Sequence, residues 1–247
     1  MGKFSVLSLF LCFSLIVYSK TNDMFIVDTT SNIILYDITD CRLDLVCNQM
    51  PNTSDENVLF CAAAAFTGKR LDYFEHSNIL GSHISKGVLY QGYEEDKDGI
   101  PFEERYALFV WQGFDNQGCM MRKGFYTIPN DEILSQTVEQ GGMAFTQHWV
   151  IKNKQIFMPV IQPLTKVEYF RALCQKQQRF YIIANKQPIS YNDFLNTLLD
   201  YGVENALYMD MGRGWNHSFY RDSFNQLHII HPKMHSFCTN WMVVYRQ

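Results

Sequence analysis

The stretch Ser190–Gly214, SYNDFLNTLLDYGVENALYMDMGRG, decides how this chain is built. Ser190 and Asp193 stand at capping-box spacing, and Gly202 supplies a C-terminal stop. Between them Phe194, Leu195, Leu198 and Leu199 recur at intervals of three and four, which predicts a helix with one apolar face. VENALYMD follows at once and reads as a strand by composition and length. A helix feeding a strand this tightly is an α/β unit.

Outward from this unit the chain is rich in strands. NIILYDI and CRLDLVC, preceded by a further short strand MFIV, read as an edge meander. The uninterrupted apolar run VLFCAAAAF suits a central buried strand. GVLYQGY and YALFVWQGF flank the acidic loop EEDKDG. MAFTQHWVI with IFMPVI, and the two halves of FRALCQKQQRFYIIA, read as hairpins. HSFYRD, LHII and WMVVYR complete the set. The expected fold class is α/β in the broad α+β sense: a single domain with a mixed, largely antiparallel β-sheet flanked by a few helices.

The N-terminus has a different character. Lys3 precedes an apolar run from Phe4 to Tyr18, too short for the roughly 18 residues of a spanning helix and shaped like a secretory signal. The expected organisation is a signal peptide at 1–19, a meander and loop at 20–57 and the main domain at 58–247. The product would be secreted or periplasmic, with no stable membrane insertion after cleavage. Lys3 is the sole charge in 1–19, so its removal takes the net charge from −4 to −5. No basic stripe or tail remains, which argues against a nucleic-acid partner.

Six cysteines follow the signal, and six allow 15 pairings. Cys41 and Cys47, at opposite ends of one predicted strand, lie roughly 20 Å apart and cannot pair with each other. Cys61 and Cys174 sit in apolar runs that favour buried free thiols.

Alternation along VENALYMD brings Asp210 out at the carboxyl end of its strand, where ligands bind in α/β sheets. Gly212 and Gly214 let backbone N–H groups approach an anion, and Arg213 and Arg221 supply planar donors for a phosphate or carboxylate. The alternative is a plain turn with both arginines on the surface. Arg171 begins an apolar strand and can face a cleft or solvent. His148, among aromatics, fits a hydrogen-bonded core residue better than a catalyst. His228, His231 and His235 are interrupted by Pro232 and lack an acidic neighbour, so neither metal nor cofactor is expected. Sequons occur at Asn52 and Asn216.

ENALYMDMGRG, preceded by the capped helix and followed by a β-rich tail ending in TNWMVVY, resembles the phosphodiester glycosidase family over roughly Val58 to Tyr245. Asn205, Ala206, Asp210 and Gly212 match that family's Asn-Ala and Asp-Gly-Gly motif. Arg171 resembles its middle-strand arginine, and CAAAAFTG occupies the place of its N-terminal glycine-rich turn. Met211 stands for a glycine, Gly214-Trp215-Asn216 stand for serines, and the N-terminal asparagine is missing, the pattern of a divergent subgroup of secreted bacterial proteins.

The resemblance implies hydrolysis of a sugar 1-phosphodiester at the anomeric carbon, with a small-molecule or glycan substrate carrying a sugar phosphate. Asp210 would assist water or the oxocarbenium ion, and Arg171 would serve the phosphate. Gly212, Arg213, Arg221, Asn240, Thr67 and Gly68 would bind substrate, Asn240 being equally suited to a structural amide. The alternative is a secreted carbohydrate-binding protein that kept the fold and lost the chemistry, using aromatics such as Trp111, Trp149, Trp215 and Trp241.

Overall fold

The computed structural model describes residues 32–68, 74–232 and 234–246. The expected signal peptide and the strand MFIV lie outside the described residues.

Among the described residues the strands form a ten-stranded sheet, a five-stranded sheet and a two-stranded ribbon. Neighbouring strands within each are antiparallel. In the larger sheet Asn205–Tyr208 lies between Arg171–Lys176 and Met143–Lys152. In the smaller one Val58–Ala63 is central, between Ser218–Arg221 and Asn240–Tyr245. The apolar run read as a buried central strand contains one, Val58–Ala63, and all six residues of that strand are buried.

The two sheets pack face to face. Tyr36, Phe109, Phe145, Leu173 and Leu207 of the larger sheet share one core with Leu43, Leu45, Phe60, Met242 and Val244 of the smaller. Alternation sends the other side chains to the opposite face, where Leu35, Ala172, Cys174 and Ala206 meet a helix. That helix is Tyr191–Asp200. Ser190 Oγ accepts from the N–H of Asp193 at 3.0 Å, and Gly202 takes the left-handed conformation at φ 76°. Ten residues make a marginal helix in water. Burial of Phe194, Leu195 and Leu198, each worth about 1.5–3 kcal/mol, holds it to the sheet.

Two expectations need correction. NIILYDI and CRLDLVC are not a meander: Ile33–Asp37 pairs with Arg179–Asn185 in the larger sheet, and Arg42–Cys47 pairs with Asn240–Tyr245 in the smaller. The turn at 38–41 crosses between sheets because Tyr36 and Leu43 must enter the same core from opposite sides. A second helix, Asp131–Glu139, was not expected; Asn130 caps it through Oδ1 to the N–H of Ile133 at 3.2 Å, and Ile133 and Leu134 pack on Leu108, Val110 and Ala144.

Among the described residues no disulfide joins any of Cys41, Cys47, Cys61, Cys119, Cys174 and Cys238, and Cys61 and Cys174 are buried as expected. No helix among the described residues is long and apolar enough to cross a membrane.

Candidate functional site

Three chain segments leave the core at one end of the sandwich and are tied together by buried amides. Asn240, at the start of its strand, accepts the N–H of Ala65 on Oδ1 at 2.8 Å and donates from Nδ2 to the Ala65 carbonyl at 3.0 Å. The Ala64 carbonyl accepts the backbone N–H of Asp210 at 3.0 Å and Nε2 of Gln147 at 3.1 Å. The ends of Val58–Ala63 and Asn205–Tyr208 and the middle of Met143–Lys152 are thereby fixed against one another.

Above this junction lies a cleft of about 770 Å³. Asp210, Thr67 and Gly68 line it, together with His148, Arg105 and Trp215. Asn78, Tyr93 and Tyr106 add polar groups, and the acidic loop contributes Glu94, Glu95 and Asp98 at the wall. Gly68 donates its N–H to the Asn78 carbonyl at 2.5 Å, and Thr67 Oγ1 lies 3.1 Å from Thr239 Oγ1.

The electrostatics of this cleft are set by burial. Asp210 is 6% exposed, and desolvation holds its carboxyl well above the usual carboxylate range, opposed by the charge of Arg171 and the N–H of Met211. His148 is 1% exposed, and burial pulls its imidazole down to about 4, helped by the nearby charges of Arg105 and Lys97. Burial thus favours the protonated form of the first, and at neutral pH the second is a neutral imidazole. The Nδ1–H of His148 donates to the Trp149 carbonyl, which leaves Nε2 as the lone-pair nitrogen. That Nε2 is buried without a protein partner, as are Nε of Arg105 and Nε1 of Trp215. Buried polar atoms without partners at a cleft wall are what a ligand can satisfy.

The predicted residues do not all come together here. Arg171, 2% exposed, lines a separate cavity of about 210 Å³ with Tyr36, Tyr169, Ser218 and His231. Its Nη2 donates to Ser218 Oγ at 3.1 Å and to the Asn216 carbonyl at 3.4 Å, while Nη1 has no partner. Arg171 therefore acts on Asp210 through its field rather than by an ion pair, and no salt bridge joins them among the described residues.

Arg221 and the turn glycines serve structure. Arg221 donates to the carbonyls of Thr53 at 2.7 Å and Asn225 at 3.2 Å, so it fastens two loops and lines neither cavity. Gly212 spends its N–H on Asn216 Oδ1 at 2.6 Å instead of an anion. Gly214 is required by Phe237: a Cβ there would come within 2.4 Å of its ring, at φ 105°. Arg213 is exposed and lines neither cavity. Asn240 is the structural amide, 1% exposed. Asn216 is buried and engaged, which closes its sequon in the folded chain.

Arg105, Tyr93, Tyr106 and Asn78 went unread in the sequence. Arg105 follows the acidic loop, and its guanidinium folds back onto the Lys97 carbonyl and Asp98, 3.2 Å from Oδ2. The signal was the basic residue trapped before the apolar strand Tyr106–Trp111. His148 was assigned to the core; it is buried, yet it also walls the cleft.

No protein-family model and no curated protein sequence matches the chain. The structure is similar to the catalytic domain of zebrafish N-acetylglucosamine-1-phosphodiester alpha-N-acetylglucosaminidase auto-inhibited by its pro-peptide. The TM-score is 0.56 at 12% identity, over 91% of this chain and 83% of that one. The likeness is one of fold. A hypothetical protein from Synechocystis is similar at a TM-score of 0.45 and 10% identity, covering 91% of this chain and 61% of that chain.

Proposed function

We propose that the cleft hydrolyses a sugar 1-phosphodiester. The observation that carries this reading is the convergence of Asp210, His148 and Arg105 on one cleft, in a fold shared with a phosphodiester glycosidase catalytic domain. Burial favours a protonated carboxyl on Asp210 and a neutral imidazole on His148, beside the guanidinium of Arg105.

In this proposal Arg105 holds the phosphate, and the protonated Asp210 accepts the anion as a neighbour without charge repulsion. The bond from the anomeric carbon to the bridging oxygen breaks, and its electron pair goes to that oxygen, which takes the Asp210 proton. Water attacks the anomeric carbon and passes its proton to His148 Nε2. A free sugar and a phosphomonoester leave, and the imidazolium returns its proton through solvent to the Asp210 carboxylate. Asp210 is thus the acid here, in place of the assistance to water or to the oxocarbenium ion implied by the resemblance. The expected export would put the reaction outside the cytoplasm.

Phe66, Tyr93, Tyr106 and Trp215 give the cleft an aromatic wall, which also suits a sugar-binding protein without turnover. Incubation with an N-acetylglucosamine 1-phosphodiester and assay for free sugar separates the two. Release abolished by Asp210→Asn supports hydrolysis. Binding without release, lost in Trp215→Ala and kept in Asp210→Asn, supports the second reading, and neither release nor binding across several sugar phosphodiesters rejects both.

A further inference from the structure

Away from the cleft, where the edge of the smaller sheet meets the larger one, Cys47, His76 and His83 bring their ligand atoms within 4.8 Å of one another. We propose that these three side chains form a binding site for a zinc-class transition-metal ion, a site that fastens the two sheets together. The sequence gives no hint of it, because the ligands fall in three segments without a motif spacing. The histidine tail that does carry a superficial spacing is engaged elsewhere: His228 Nε2 lies 2.8 Å from Asp222 Oδ2.

The donor set is specific. One sulfur and two imidazoles, with no carboxylate, suit zinc and its borderline neighbours rather than calcium or magnesium. His76 Nδ1 faces His83 Nε2 at 2.8 Å. Two nitrogens on a tetrahedral ion would stand about 3.3 Å apart, so small ring rotations admit one. Both rings are held from behind. His83 Nδ1 lies 3.1 Å from the Gly81 carbonyl, so donating its proton there leaves Nε2 as a lone pair toward the site. Gly81 is itself immobilised: its N–H donates to Tyr93 at 2.8 Å, and an added Cβ would come within 2.7 Å of Thr146. His76 stacks on Tyr90 with centroids 3.3 Å apart and planes 3° from parallel.

The position gives the ion a structural task. Cys47 ends the strand Arg42–Cys47 of the smaller sheet, and His83 opens His83–Ser85 of the larger. Ser85 Oγ already bridges them by donating to the Leu45 carbonyl at 2.8 Å. His76 begins the short turn His76–Asn78, whose last residue walls the cleft. Binding releases the Cys47 thiol proton to solvent and leaves a thiolate on the ion; the fourth position stays open to water.

The test uses the tag-free chain, stripped with a chelator and titrated with Co²⁺ alone. The expected result is one Co²⁺ per chain with a thiolate-to-cobalt charge-transfer band, displaced by Zn²⁺. Cys47→Ser should lose the band, and His83→Ala should weaken binding about tenfold or more. His228→Ala, outside the site, should leave both unchanged. Zn²⁺ should raise the melting temperature of the parent chain and not that of Cys47→Ser, with circular dichroism confirming that the variant is folded. Absence of the band in the parent chain, or its persistence in Cys47→Ser, overturns the proposal.

Discussion

Asp210 and Gln147 donate to the same acceptor, the carbonyl of Ala64, at 3.0 and 3.1 Å. Gln147 also takes the N–H of His148 on Oε1 at 2.7 Å, so one amide sets the backbone beneath both titratable groups of the cleft. Gln147→Leu keeps the bulk and removes both bonds, stranding a buried N–H. The expected cost is about 1–3 kcal/mol by urea denaturation. Sugar release should fall further than that loss of folded protein accounts for, because Asp210 and His148 shift with their backbone. Unchanged activity in the folded fraction would show that the bridge positions neither.

Asp210 should make the protein less stable as pH rises. Its folded pKa lies above the unfolded value, so the native state keeps a proton that the unfolded chain gives up above about pH 4. Stability contributed by the protonated carboxyl is present below that pH and is lost progressively toward the raised folded pKa. Asp210→Asn abolishes this dependence. Melting curves should therefore show the variant more stable than the parent at pH 7, with the gap closing near pH 4, while sugar release disappears. A variant less stable at pH 7 would mean that the carboxylate is ionised and paired in the native state.

His148 works in the opposite sense. Its folded pKa is depressed from 6.5 to about 4, so its contribution is complete above pH 6.5 and is lost as pH falls toward 4. The drop is worth at most about 3 kcal/mol. His148→Gln should flatten the acid side of the stability profile measured between pH 7 and pH 4. In the parent chain the acid limb of kcat/KM should sit near the same pKa, with the alkaline limb set by Asp210. An acid limb near 6.5 would place the imidazole in solvent.

What the sequence made legible follows from range. The helix Tyr191–Asp200 and the strand after it were readable because capping and alternation are local. Asp210 at the strand end was readable for the same reason. Arg171 and Arg221 were not, since a strand charge looks alike whether it meets a ligand or, like Arg221, the Thr53 carbonyl across 168 residues. His148 was read as a hydrogen-bonded core residue, and it is buried and hydrogen-bonded; that it also lines the cleft depends on contacts the local sequence does not show. Arg105 reaches the cleft only because the loop before it folds back, and the Cys47, His76 and His83 group arises where the two sheets pack and bring three separate segments together. Sheet crossing at 38–41 was hidden likewise: two neighbouring strands look the same whether they pair or part.

Arg105 and Arg171, both buried, should separate in kinetics. Arg105 walls the cleft with an unpartnered Nε, so Arg105→Met should raise KM for a sugar phosphodiester by roughly tenfold or more, the loss of one charge-assisted contact. Arg171 lies in the other cavity and lowers the Asp210 pKa only through its charge. Arg171→Met therefore leaves KM close to the parent value and moves the alkaline limb of the pH profile upward, because the carboxyl loses its stabilising cation. The change leaves Ser218 Oγ and the Asn216 carbonyl without their donor, at a cost of about 1–3 kcal/mol in folding. If Arg171→Met instead raises KM with an unmoved alkaline limb, the phosphate reaches the smaller cavity, and Arg171 touches substrate as the family resemblance implied.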